Sequence, residues 1–125
     1  MQPSNFVLFY VKSPIASAAF YEKLTGYKPV EQSPGFAMFV MPGGFKLGLW
    51  LDSEIDPPAN GRIGGAEIMF DCDTDAEVDA AHADWAAKGA EILQKPTQMD
   101  FGYTFTAADP DGHRLRVYRR AENPM

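Results

Sequence analysis

A chain of 125 residues, 46% hydrophobic and 13% aromatic, is long enough for a packed core and matches the size of one compact domain. Its formal net charge of −6 argues against a nucleic-acid partner, because phosphate binding needs a basic surface. The longest apolar runs, such as Phe6–Val11, fall far short of the about 20 residues that span a bilayer, so no membrane partner is expected.

The N-terminus lacks the basic-then-apolar pattern of a secretory signal, and one cysteine, Cys72, cannot form an internal disulfide. These features predict a cytoplasmic protein whose partner is a small molecule or a second copy of itself.

In chain order, Phe6–Val11 is β-rich and predicts a strand. Ser13-Pro14 follows as a helix cap with proline at the first helical position, where its missing N–H costs little. Ala16, Phe20 and Leu24 recur at four-residue spacing and predict one apolar helical face, closed by Gly26. Strands are expected near 28–31, 36–41 and 45–51, with Pro42-Gly43-Gly44 as the turn between the last two. Residues 52–65, with two prolines and three glycines, read as a linker or lid loop.

The pattern then restarts. Glu67–Cys72 predicts a strand, Thr74 and Glu77 a capping box, and Val78, Ala81 and Trp85 a helical face closed by Gly89. Strands near 90–93, 103–107 and 114–119 complete the second half, and 121–125 reads as a loose tail. Residues 42–50 (PGGFKLGLW) match 110–118 (PDGHRLRVY) in proline, glycine, base, leucine, aliphatic and aromatic positions. Such a repeat dictates architecture. It predicts an α+β fold of two βαβββ modules, about 5–52 and 65–120, within one domain 1–125. Each curved mixed sheet buries its helix on one face, and the other faces form a trough.

The stretches Val11-Lys12-Ser13-Pro14, Phe20-Tyr21, Leu24-Thr25-Gly26 and Asp109-Pro110-Asp111-Gly112-His113 resemble the vicinal oxygen chelate superfamily. That superfamily includes glyoxalase I, extradiol dioxygenases and bleomycin-resistance proteins. Residues 36–39, 49–50, 101–105 and 109–117 look most like its phenazine-resistance members. The resemblance implies four metal-ligand positions, which fall here on Phe6, Gly48, Glu67 and Arg116. Only Glu67 could coordinate a cation, since phenylalanine and glycine offer no lone pair and arginine stays cationic. A divalent site normally needs at least three protein donors, so no metal and no other cofactor is expected.

Strand alternation places Phe6, Leu8, Tyr10, Lys46, Gly48, Trp50, Glu67, Met69, Asp71, Arg114, Arg116 and Tyr118 on the trough. Of these, Trp50, Arg116, Glu67, Phe6, Gly48, Leu8, Met69 and Tyr118 are the candidate ligand-binding residues. Gly48 would leave room for a flat ligand on the Trp50 indole, and Arg116 could stack on a ring or pair with a carboxylate. Bland alternatives stand beside each reading. Trp50 could fill core or a dimer interface, Glu67 and Arg116 could form only a structural ion pair, and Trp85 and Cys72 read as core. Lys46 and Arg114 read as solvated, and Met38, Met41 and Met69 as core by default.

No Ser–His–Asp or Cys–His set can be built from trough positions, so no catalytic residue is assigned. The favoured function is metal-free binding of a small planar aromatic compound, which the resemblance extends to antibiotic resistance by sequestration. The alternative is a lyase, isomerase or dioxygenase of the same fold. A third reading is a trough used only for self-association. A homodimer is expected, because the superfamily usually combines four such modules and this chain supplies two.

Overall fold

Ser13 ends β1 (Phe6–Val11) and starts α1 (Pro14–Thr25), its hydroxyl accepting the Ala16 N–H at 3.1 Å. The computed structural model describes residues 5–56, 58 and 66–121. Gly26 stops α1 in the left-handed conformation, its N–H bonded to the Glu22 carbonyl. The remaining strands of this unit are β2 (Glu31–Gln32), β3 (Phe36–Val40) and β4 (Lys46–Leu51). They form a sheet in the order β1-β4-β3-β2, with β1 and β4 parallel and the other pairs antiparallel.

The second unit repeats this build. It contains β5 (Glu67–Cys72), α2 (Asp75–Ala87), β6 (Glu91–Met99), β7 (Gly102–Ala108) and β8 (Arg114–Arg120). Its sheet order is β5-β8-β7-β6, again with one parallel pair, β5 and β8. The Thr74/Glu77 capping box is present on α2. The chain thus divides into two compact units, Met1–Ile63 and Gly64–Met125, each a βαβββ module of α+β type.

The repeat extends to individual hydrogen bonds. Met41 N–H donates to the Phe45 carbonyl at 2.7 Å, and Asp109 N–H to the His113 carbonyl at 2.8 Å. Gly44 donates to Met41 and Gly112 to Asp109, both at 3.0 Å, and both glycines have φ above +80°. Lys46 and Arg114 then start their strands by donating to Asn5 and Ala66, both at 2.8 Å. Leu47 pairs with Val7 and Leu115 with Ile68, so the two leucines hold equivalent places.

Each core lies between one helix and one sheet face. In the first unit Phe9, Val11, Leu47, Leu49, Ala37 and Phe39 meet Ala18, Tyr21 and Leu24. In the second, Leu115, Val117, Phe105 and Ala107 meet Val78 and Trp85. The Trp85 indole sits edge-on between Phe70 and Phe105, at 5.6 and 5.4 Å between centroids.

Three expectations need correction. The buried stripe of α1 is Pro14, Ser17, Ala18, Tyr21 and Leu24, with Ala16 exposed and Phe20 half-buried. Small Ser17 and amphipathic Tyr21 turn inward, where the tyrosine ring meets Phe39 at 6.3 Å. The strand expected at 28–31 begins only at Glu31, because Pro29 has no N–H to donate to a ladder. The strand expected at 90–93 runs to Met99. It tolerates Pro96 because β6 is an edge strand, and its register with β7 shifts on both sides of Gln94. Of the expected linker 52–65, the described part comprises a single 3-10 turn, Asp52–Glu54, and residues 55, 56 and 58. The rest of it, and the tail beyond 121, lie outside the described residues.

Leu47 and Leu115 are both fully buried. Leu47→Ala and Leu115→Ala are each expected to lower stability by about 2–5 kcal/mol in urea denaturation. A loss below 1 kcal/mol at either site would contradict their equivalent core roles.

Candidate functional site

The parallel pairing of first and last strand fixes which side chains share the open face of each sheet. In the first unit three cross-strand rows stand there: Phe6, Lys46 and Val40; Leu8, Gly48 and Met38; Tyr10, Trp50 and Phe36. Phe6, Leu8, Tyr10 and Val40 are each 39–43% exposed. Lys46 is half-buried, with its ammonium 5.8 Å from the Phe6 ring centre, so it is less solvated than its place in the sequence implies. Gly48 has its open side covered by Leu8, Phe6 and Phe36, whose side chains a Cβ there would meet. The room left by the missing side chain is therefore already occupied within the unit.

The open face of the second unit is different in chemistry. Glu67, Met69, Arg116 and Tyr118 line a concavity of about 640 Å³ together with Phe101 and Arg120. Met69 is 49% exposed, so it belongs to this wall and not to the core. The eight expected residues thus fall four to each unit: Phe6, Leu8, Gly48 and Trp50 in the first, Glu67, Met69, Arg116 and Tyr118 in the second.

Arg116 is the most constrained side chain of the concavity. Its Nε donates to Glu67 Oε1 at 2.8 Å and its Nη1 to Gln94 Oε1 at 3.1 Å. Gln94 Oε1 also accepts from the Thr106 hydroxyl at 3.1 Å, and Thr106 is buried. The guanidinium carbon lies 5.6 Å from the centre of the Phe101 ring, within cation–π range. Phe101 in turn meets Tyr118 edge-on at 6.1 Å. The result is a planar cation with its edge committed to polar partners and one face backed by an aromatic ring.

Gln94, Phe101 and Arg120 were not among the expected residues. Arg120 continues the alternation of Arg114, Arg116 and Tyr118, a signal present in the sequence once the strand extends to residue 120. Gln94 had no such signal, because the register shifts that bring it onto the Arg116 row cannot be read from spacing.

The metal positions implied by the resemblance do not fit a cation. Glu67 is the single donor among them, and its Oε1 is committed to Arg116. One other group of the described residues has a suitable composition: Asp109, Asp111 and His113. Asp109 Oδ1 accepts the N–H groups of Asp111 and His113 at 2.9 and 2.8 Å, and its Oδ2 lies 3.0 Å from His113 Nδ1. Those atoms hold the turn before β8. Cys72 is half-buried, and its thiol pKa is raised by burial and by the carboxylates of Glu77, Asp71 and Asp73, which disfavours a nucleophilic thiolate.

A model of the Glyoxalase/Bleomycin resistance protein/Dioxygenase superfamily matches residues 4–117. The chain belongs to this superfamily. It is 28% identical over 116 residues to the phenazine antibiotic resistance protein EhpR of Enterobacter agglomerans, covering 90% of this chain and 88% of that one. A protein of Agrobacterium tumefaciens with a solution NMR structure is 50% identical, with a TM-score of 0.86 over 97% of this chain and 99% of that chain. A glyoxalase-related enzyme from Fulvimarina pelagi is 25% identical, with a TM-score of 0.81 over 96% and 89% of the two chains. Among the described residues, no helix is long and apolar enough to cross a membrane.

Phe6, Gly48 and Arg116 supply no metal donor, and Glu67 is paired. Elemental analysis of protein purified without chelator is expected to find well under one equivalent of zinc, iron, nickel or manganese. Near one equivalent would overturn this assignment.

Proposed function

We propose that this protein binds a small planar aromatic compound without a metal and acts by sequestering it, as a resistance protein would. The observation that carries the reading is the Arg116 guanidinium, bonded to Glu67 and Gln94, with its carbon 5.6 Å from the Phe101 ring centre, in the lining of an open concavity. A guanidinium so fixed offers a ring-sized planar surface at little further cost in side-chain entropy. Tyr118 adds an aromatic wall and Met69 an adaptable apolar one. The similarity to EhpR supports a phenazine-like ligand.

Trp50, flanked across strands by Tyr10 and Phe36, is proposed as an aromatic stacking surface of the first unit. An isomerase, lyase or dioxygenase reading is less well supported. His82 packs on Phe105, His113 is bonded to Asp109, and Glu67 is bonded to Arg116, so each of these three proton-transfer candidates is engaged within its unit.

The proposal extends to a cytoplasmic homodimer. Monomers rarely leave a large contiguous apolar patch in water, and the open face of the first unit carries Phe6, Leu8, Tyr10 and Val40. Light scattering at micromolar concentration is expected to give twice the chain mass, and a monomer mass would refute the dimer.

A thermal-shift screen of planar aromatic metabolites, phenazines included, is expected to yield a stabilising ligand. Calorimetry with that ligand should show Tyr118→Ala weakening binding by about 1–3 kcal/mol, the scale of a lost aromatic stack. Unchanged affinity in this variant would place the pocket elsewhere.

A further inference from the structure

The charges lining the concavity are not equivalent. Arg116 faces a carboxylate, Glu67, at 2.8 Å, and its side chain is only 12% exposed. Its charge is therefore largely compensated within the protein, and two of its edges are already occupied by hydrogen bonds. Arg120 lines the same concavity, is exposed, and forms no ion pair among the described residues.

The local backbone explains why it stands open. Arg120 pairs across the sheet with Gly102, which presents no side chain. Gly102 holds φ of +150°, and a Cβ there would overlap the Arg119 carbonyl, so the position opposite Arg120 stays bare. The β5 ladder ends at the Cys72–Arg119 pair, so no β5 residue pairs with Arg120 on its other side. Asp71, on the open face two residues earlier, pairs with Tyr118 and does not line the concavity.

We propose that the second unit selects a planar aromatic acid, with Arg116 as a charge-compensated stacking platform and Arg120 as the group that binds the ligand's carboxylate. This rests on the binding function proposed above and assigns the acid to a residue different from the platform. Glu67 makes the division necessary. A carboxylate brought to Arg116 would meet the Glu67 oxygens, whereas at Arg120 it meets an uncompensated cation able to donate two parallel hydrogen bonds.

The test compares two probes of nearly the same shape, phenazine-1-carboxylate and its neutral carboxamide, by calorimetry on the full chain. The unaltered protein is expected to bind the carboxylate about tenfold more tightly, the size of one charge-assisted contact at a solvated rim. Arg120→Gln should reduce that ratio to near one by weakening the acid alone. Arg116→Met combined with Glu67→Gln, which removes both charges of the pair together, should weaken both probes by similar factors and leave the ratio in place. Raised salt should weaken the carboxylate more than the carboxamide. All three substitutions lie on the open face, and circular dichroism melts establish that the variants fold. A ratio that survives Arg120→Gln, or that collapses in the Glu67→Gln/Arg116→Met variant, overturns this inference and leaves the binding function standing. Failure of the unaltered protein to bind either probe overturns both.

Discussion

In each unit the last strand returns to lie parallel with the first, between it and the third. A parallel pair cannot be closed by a tight turn, so the chain must cross over the sheet, and α1 or α2 makes that crossing. The helix covers one face and leaves the other open, and the register of the pair then decides which residues stand there. Phe9, Val11, Leu47 and Leu49 go under α1, while Phe6, Leu8 and Trp50 stay outside. A one-residue slip would exchange these sets, so the buried leucines of the central strands hold the site as firmly as they hold the core.

The same scaffold carries two unlike surfaces. The first unit presents aromatics and aliphatics around a glycine whose vacancy is filled by Leu8 and Phe6. The second presents an arginine whose polar edge is saturated by Glu67 and Gln94 and whose face rests on Phe101. Where the superfamily resemblance implies two metal donors, this unit has one acid and one base bound to each other. The Arg116 side chain is largely covered, and its pairing with the more exposed Glu67 offsets the cost of covering a guanidinium.

Much of this was legible in the residues. The matched segments 42–50 and 110–118 revealed the duplication, and period-two alternation placed Arg116, Glu67, Met69 and Tyr118 on one face. Other features depend on geometry that no spacing encodes. Alternation breaks down along β6, where Pro96 and two register shifts decouple residue number from facing direction, and so Gln94 was missed. Four-residue hydrophobic spacing points to Ala16, Phe20 and Leu24, whereas small size and ring area decide what fits under a sheet and turn Ser17 and Tyr21 inward. The space at Gly48 was inferred from the absent side chain alone, whereas its occupation depends on the rotamers of neighbouring strands.

The twin turns before β4 and β8 keep the same backbone hydrogen bonds but differ in what secures them. The first relies on main chain around Pro42, Gly43 and Gly44 and on the Asn5 amide, which donates to the Gly44 carbonyl at 3.2 Å. In the second, one carboxylate, Asp109, takes part in three further hydrogen bonds and fastens the ring of His113 beneath the surface. In hereditary terms the two copies have unequal freedom. Met41 commits no side-chain hydrogen bond to its turn and can drift by single changes. Asp109 and His113 are coupled through their hydrogen bonds, so a substitution at either position changes what a substitution at the other would cost.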